Sequence, residues 1–147
     1  MRELVVIAEA CERKLIPKDK RHLPLLITGA GAGNIVNALK DIPTDIFIYN
    51  YGYCGAIGYD IREVLDVATV REYRCTARIK SPEFLLAHIG VDCYTALDFV
   101  KDEVKRIKKG IFDMELYFIC ALGFQVISVK TVSDNLSYKK YKENAKC

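Results

Sequence analysis

Leu25-Leu26-Ile27-Thr28-Gly29-Ala30-Gly31-Ala32-Gly33-Asn34 reads as a strand that enters a glycine-rich turn and then an amphipathic helix running through Leu39 and Lys40. A strand handed directly to a helix is the repeating unit of α/β folds. Upstream, Leu4-Val5-Val6-Ile7-Ala8 is β-branched and bounded by charge, the pattern of a fully buried strand. A short helical stretch follows through Leu15, and Pro17 with the charged run Lys18 to His22 forms a connection. Downstream, Asp45 to Asn50 is a third strand ending in Gly52-Tyr53-Cys54-Gly55, and Val64 to Tyr73 is a further strand. Ser81-Pro82 marks a turn, Phe84 to Cys93 carries one or two more strands, and Lys101 to Lys109 is a polar helix or loop. Asp113 as N-cap and Gly123 as the residue past the end frame a buried helix of about nine residues. Phe124 to Ser133 is the last core strand, and Tyr138 to Lys146 a solvent-washed terminal helix. The expectation is one α/β domain over residues 1–147, its sheet covered on both faces.

Composition bounds the function. At 147 residues the chain buries roughly two thirds of its unfolded surface. The net charge of +3 is small, and its basic excess in Lys101 to Lys109 and Lys139 to Lys146 is interspersed with acids. No basic stripe interleaved with aromatics accompanies it, so nucleic-acid binding is not expected. Leu4 to Ala8 is too short for a membrane span or a signal sequence. The cysteines at 11, 54, 75, 93, 120 and 147 lack paired metal-ligand spacing, and His22 and His88 are the only histidines, so no metal is expected. Five of the thiols lie in or beside apolar runs, where a reduced thiol packs as a small hydrophobe. A reducing cytoplasm is the simplest expectation. Asn34 stands where a Gly-x-Gly-x-x-Gly fingerprint needs its last glycine, which argues against dinucleotide binding.

Two carboxylates stand out. Glu115 lies in an otherwise apolar run with Met114, Leu116, Phe118 and Ile119, and Asp134 closes the run from Val126 to Val132. An ionised carboxylate held in a core without a partner is too costly to keep, so the pair suggests a site for hydroxyls, cations or a protonatable base. In α/β sheets ligands bind beyond the carboxyl ends of the strands. Here those ends carry Glu9 and Glu12, Gly29 to Gly33, Gly52 to Gly55, and Ser133-Asp134. Each residue also has a plain structural reading. Asp134 could cap the terminal helix, Glu12 could be a surface helix residue, Glu115 could complement a helix dipole, and Phe99 and Cys54 could be core.

The motifs in order are Ala8-Glu9-Ala10-Cys11-Glu12, Thr28-Gly29-Ala30-Gly31, Asn50 to Gly55, Phe99-Val100, Asp113-Met114-Glu115 and Val132-Ser133-Asp134. Together they resemble the purine nucleoside phosphorylase and nucleosidase superfamily, closest to the methylthioadenosine/S-adenosylhomocysteine nucleosidases, in a shortened form. The resemblance implies a trimmed three-layer α/β fold with a central mixed sheet and flanking helices, no cofactor, and a small-molecule nucleoside as substrate. It implies that Asp134 protonates a departing purine at N7 and that Glu12 activates the attacking water. Glu115 would take the ribose 2′ and 3′ hydroxyls, with Met114 packed on the sugar. Phe99 would stack on the base, and the Val100 backbone would read its edge. Cys54 and Gly55 would floor the pocket, and Ser133 would hold Asp134. A homodimer is expected, since a trimmed α/β domain leaves sheet edges and apolar surface to cover.

The chain departs from that pattern by being short between Glu12 and Leu23 and between Tyr73 and Phe84, and by carrying Tyr53 where a small residue is common. These differences leave the 5′ substituent open. Phosphorolysis is the lesser expectation. Phosphate is bound bidentately by arginine, and the positions where the family's phosphorylases carry arginine hold Glu and Ala residues and Asn50. Arg13 and Lys130 offer some charge, which keeps phosphorolysis open as the alternative. A non-catalytic nucleoside- or base-binding protein is the rival from another class.

Overall fold

The computed structural model describes residues 2–73, 82–100 and 107–146. Among these described residues, eight strands form one mixed sheet: β1 (Glu3–Ile7), β2 (Leu25–Ile27), β3 (Phe47–Ile57), β4 (Val64–Glu72), β5 (Glu83–Leu85), β6 (Val91–Thr95), β7 (Gly110–Asp113) and β8 (Val126–Asp134). Three helices accompany it, α1 (Ala32–Leu39), α2 (Leu116–Ala121) and α3 (Tyr138–Ala145), with short 3₁₀ helices at Ala10–Leu15 and Lys18–Lys20. The strand order is β2-β1-β3-β7-β6-β4-β5, with β8 pairing both β3 and β4. The α/β expectation with a mixed central sheet therefore holds.

The two-residue side-chain period of a strand explains how β1 is buried on both faces. Val6 points into the larger core with Ile35, Leu39, Ile48 and Ile119, while Val5 and Ile7 join Ile16 and Tyr51 on the opposite face. Helices α1 and α2 pack on the first side, whereas the second receives the segment around Leu15, Ile16 and Leu23. The stretch between Glu12 and Leu23 thus holds two 3₁₀ turns. The other shortened stretch includes residues 74–81, which lie outside the described residues, as do Lys101 to Arg106 and Cys147.

Several expectations are corrected. Strand β3 does not end at Asn50 but continues through the glycines to Ile57. Its first part pairs with β1, its last part with β7, and β8 runs alongside on the other edge. Pairings β3-β7, β7-β6, β6-β4, β4-β8 and β8-β3 close a ring of five strands. Asp113 is the last residue of β7 and not the N-cap position. Its carboxylate still caps, accepting the Leu116 N–H at 2.9 Å. Helix α2 is therefore six residues long and not nine. Gly123 does follow it with a left-handed φ of 98°, the conformation that glycine adopts without steric cost. Free buried thiols are found at Cys54, Cys93 and Cys120, but Cys11 is disulfide-bonded. The thiols thus give no clear argument for a reducing compartment. Among the described residues no helix is long and apolar enough to cross a membrane.

Candidate active site

A cavity of about 290 Å³ opens where β1, β7 and β8 end and where β3 passes beneath them. Glu12, Glu115 and Asp134, far apart in the chain, all line it. So do Met114, Phe99, Val100, Cys54 and Gly55. Ser133 is buried behind the wall, and its hydroxyl bonds to Asp134 and to the Cys54 carbonyl, both from lining residues. Tyr53, Tyr138 and Tyr141 complete parts of the lining, and the last two correct the reading of α3 as wholly solvent-washed.

Asp134 is aimed by an irregularity in the sheet. Cys54 pairs with Val132 and Gly55 with Asp134, so Ser133 is an extra residue opposite a single step of β3. Such a bulge turns the following side chain out of the ladder. The Ser133 hydroxyl lies 2.7 Å from Asp134 Oδ1, and the Ser137 N–H donates to Oδ2 at 3.2 Å. Burial raises the Asp134 pKa, while Ser133 and the Leu136 and Ser137 N–H groups pull it down. Gly55 allows the approach: a Cβ there would stand 3.0 Å from Leu136 Cδ2 and 3.1 Å from Asp134 Oδ2.

Glu12 is held more firmly. Its Oε1 accepts the Ala8 and Glu9 N–H groups at 2.9 Å each, and its Oε2 accepts the Tyr53 N–H at 2.7 Å. Burial raises its pKa, and Lys130 with these backbone donors lowers it in part. The 3₁₀ helix therefore presents a buried carboxylate where the sequence alone suggested a surface residue. Gly52 makes room for it, since a Cβ would lie 2.8 Å from Glu12 Oε2 and 3.2 Å from Lys130 Nζ.

Glu115 has weaker ties, the Gly31 N–H at 3.4 Å and the Met114 N–H at 3.3 Å. Burial, then the neighbouring Asp113, push its pKa up to about 8, with Lys130 acting against them. This carboxyl has hydrogen-bonding capacity left over.

Lys130 is the component that sequence reading undervalued. It is 1% exposed, and its Nζ lies 3.2 Å from Asp113 Oδ2. Burial works against its charge, but Asp113, Glu115, Cys93 and Glu12 outweigh that and hold its pKa above the ordinary value. Asp113 is tied on its other oxygen to the Thr95 hydroxyl, which itself accepts the Tyr117 N–H. The available signal was a lysine inside the apolar run of β8, the same kind of anomaly that marked Glu115. Among the described residues no group of His, Cys, Asp and Glu forms a metal site; the cation serving these acids is the lysine.

Phe99 packs against other aromatic rings, with centroids 5.3 Å from Tyr138 and 5.5 Å from Tyr141. Aromatic rings and carboxylates thus share the lining of one cavity. Burial raises the Cys54 thiol well above the usual range, which makes it a poor nucleophile.

No protein-family model matches the chain, and no curated protein matches it by sequence. Solved structures do match. The MTAN of Chlamydia trachomatis is 18% identical, with 99% of this chain and 90% of that one covered at a TM-score of 0.76. The Helicobacter pylori 5′-methylthioadenosine/S-adenosylhomocysteine nucleosidase is 11% identical, with 98% and 91% covered at 0.76. The Neisseria meningitidis nucleosidase, solved with methylthio-immucillin-A, is 14% identical, with 99% and 93% covered at 0.74. Over nearly its whole length, the chain has the fold of the methylthioadenosine/S-adenosylhomocysteine nucleosidases.

Proposed function

We propose that the chain hydrolyses the N-glycosidic bond of a purine nucleoside, releasing free base and free sugar. The observation that carries this reading is that Glu12, Glu115 and Asp134 line one cavity together with a cluster of aromatic rings. Breaking the bond leaves positive charge on the sugar and negative charge on the leaving base. Asp134, its pKa raised by burial, donates a proton to N7 as the bond from C1′ to the base breaks. Glu12 takes a proton from water as the water oxygen bonds to C1′. Such positioned acid and base groups each contribute about 10²–10⁴-fold, by the two-carboxylate logic of glycoside hydrolysis. Glu115 accepts the 2′ and 3′ hydroxyls with Met114 beneath the sugar, Phe99 stacks on the base, and the Val100 backbone meets its edge. Cys54 and Gly55 form the floor, and Ser133 steadies Asp134.

Water is favoured over phosphate by charge. Glu9 and Glu12 line the cavity, and among its described lining residues there is no Arg or Lys. Lys130 lies behind the acids, paired with Asp113. A homodimer belongs to the same proposal, because Leu85, Ile89 and Leu97 leave large apolar side chains exposed for a second copy to cover. Sedimentation at micromolar concentration checks this, and a monomer there contradicts it.

The enzymatic test follows base release from purine nucleosides, with and without phosphate. The expected result is release in both buffers, with turnover cut sharply in Glu12→Gln and Asp134→Asn while adenine binding persists. Strict phosphate dependence replaces hydrolysis with phosphorolysis. Saturable binding without turnover replaces it with a binding protein.

A further inference from the structure

The bulge at the end of β8 decides which way the acid points. In the ladder between β3 and β8, Cys54 pairs with Val132 and Gly55 with Asp134, and Ser133 is passed over. An unbroken register would set Ser133 opposite Gly55, and a one-residue slip carries every side chain to the opposite face. The placement of Asp134 therefore depends on keeping Ser133 out of register. A bulged residue has lost its place in the ladder, and Ser133 is 1% exposed. Its backbone groups need partners from elsewhere.

The partner of the Ser133 carbonyl comes from outside the sheet. Asn144, in the last turn of α3, donates from Nδ2 to Ser133 O at 2.8 Å. A carbonyl only accepts, so the amide nitrogen is the atom that faces it. The other end of α3 bears on the same point: the Ser137 N–H, at the N-cap, donates to Asp134 Oδ2 at 3.2 Å. The helix is itself well anchored. Ala145 is fully buried, and the Ser137 hydroxyl accepts the Lys140 N–H at 3.3 Å. Lys14, on the 3₁₀ helix that carries Glu12, donates from Nζ to Ala145 O at 3.1 Å. Helix α3 thus braces the segment of the acid against the segment of the base.

Building on the nucleosidase reading, we propose that Asn144 is a positioning residue for Asp134: its side-chain amide holds the carbonyl of the bulged Ser133 and so keeps the acid turned toward the leaving base. Asn144 lies outside the cavity lining, so it acts on the reaction only through Ser133 and Asp134. Helix stability does not explain the choice of residue. Asn is a poorer helix former than Leu, Gln, Lys or Ala, and its side chain bonds outside its own helix. Without this donor a buried carbonyl is left unpaired, which favours return of Ser133 to the regular ladder.

The test compares wild type with Asn144→Leu, which fills similar space without a donor, and Asn144→Gln, which keeps the amide. Both substitutions favour a helix over Asn, so unwinding of α3 does not cause a loss. In Asn144→Leu, kcat for adenosine should fall on the order of 10–100-fold through a misplaced acid, with KM little changed. Asn144→Gln should recover part of that loss. The alkaline limb of the kcat/KM profile should move to higher pH in Asn144→Leu, because the Ser133 and Ser137 bonds that lower the Asp134 pKa loosen. In an Asp134→Asn background the Leu substitution should cost nothing further. Unchanged kcat, a loss carried by KM, no recovery in Asn144→Gln, a fixed alkaline limb or an equal loss in the Asp134→Asn background overturns the proposal. If Asn144→Leu does not fold, Asn144→Ala is read in the same way. Absence of base release from every purine nucleoside by the wild-type chain would defeat the nucleosidase reading instead. A carboxyl-carbon NMR titration, which needs no turnover, then decides the role of Asn144. The Asp134 signal, assigned by its loss in Asp134→Asn, titrating at higher pH in Asn144→Leu than in wild type upholds it, and an unmoved titration overturns it.

Discussion

Replacing Lys130 by Met should destabilise the protein severely, through charge and not through volume. Met fills most of the lysine's space, so little cavity is created. What remains is Asp113, buried, with its 3.2 Å partner removed. Stranding one member of a buried pair costs roughly 3–5 kcal/mol, and the loss is felt also by Glu115 and Glu12, which the same lysine stabilises. For a chain of this size each kcal/mol shifts the melting midpoint by roughly 2–5 °C, so the variant should melt about 10 °C or more below wild type. Urea melts at pH 7.5 measure the free energy directly. The double variant Lys130→Met/Asp113→Asn should regain much of the loss, since it removes the stranded Asp113 charge while retaining an acceptor for Leu116. A penalty below about 1 kcal/mol, or no recovery in the double variant, would refute the buried ion pair as the element holding the acids in place.

Three further outcomes are expected. Gly55→Ala places a Cβ 3.1 Å from Asp134 Oδ2 and 3.0 Å from Leu136 Cδ2, so turnover should fall on the order of 10–100-fold by misplacing the acid; unchanged kcat would contradict that geometry. Glu115 has its folded pKa raised from 4.5 to about 8, so the stability it confers is complete below pH 4.5 and lost as pH rises through 8. Denaturation midpoints of Glu115→Gln should lack that decline, and a parallel decline in the variant would assign it elsewhere. Ser133→Ala removes a group that lowers the Asp134 pKa, so the alkaline limb of the kcat/KM profile should move to higher pH; no movement, or movement to lower pH, counts against Asp134 as the acid.

Much of the fold was legible because local pattern and tertiary environment agree. Val5, Val6 and Ile7 are apolar on both faces of β1 and are buried on both. Gly123 stops α2 with the conformation its type favours. Glu115 was conspicuous because an acid in an apolar run needs an explanation. The rest was hidden where a residue serves a distant partner. Gly52 and Gly55 look like strand breakers, yet they sit inside β3 because Glu12, Lys130 and Asp134 approach too closely for a Cβ. Asp113 caps α2 from the end of a strand, so capping chemistry was readable but its backbone setting was not. Lys130 stood out in the sequence only as a source of nearby charge, since its partners lie on other elements. Tyr141 passed as one face of a polar helix, since only the fold brings it to the cavity.

Chromatography of a phosphate-free incubation with adenosine is the most direct measurement. Free adenine accumulating in step with free ribose, and lost when Asp134→Asn replaces the wild-type chain, is the expected result. Intact adenosine after prolonged incubation at high protein concentration, or equal release by the Asp134→Asn variant, would contradict it.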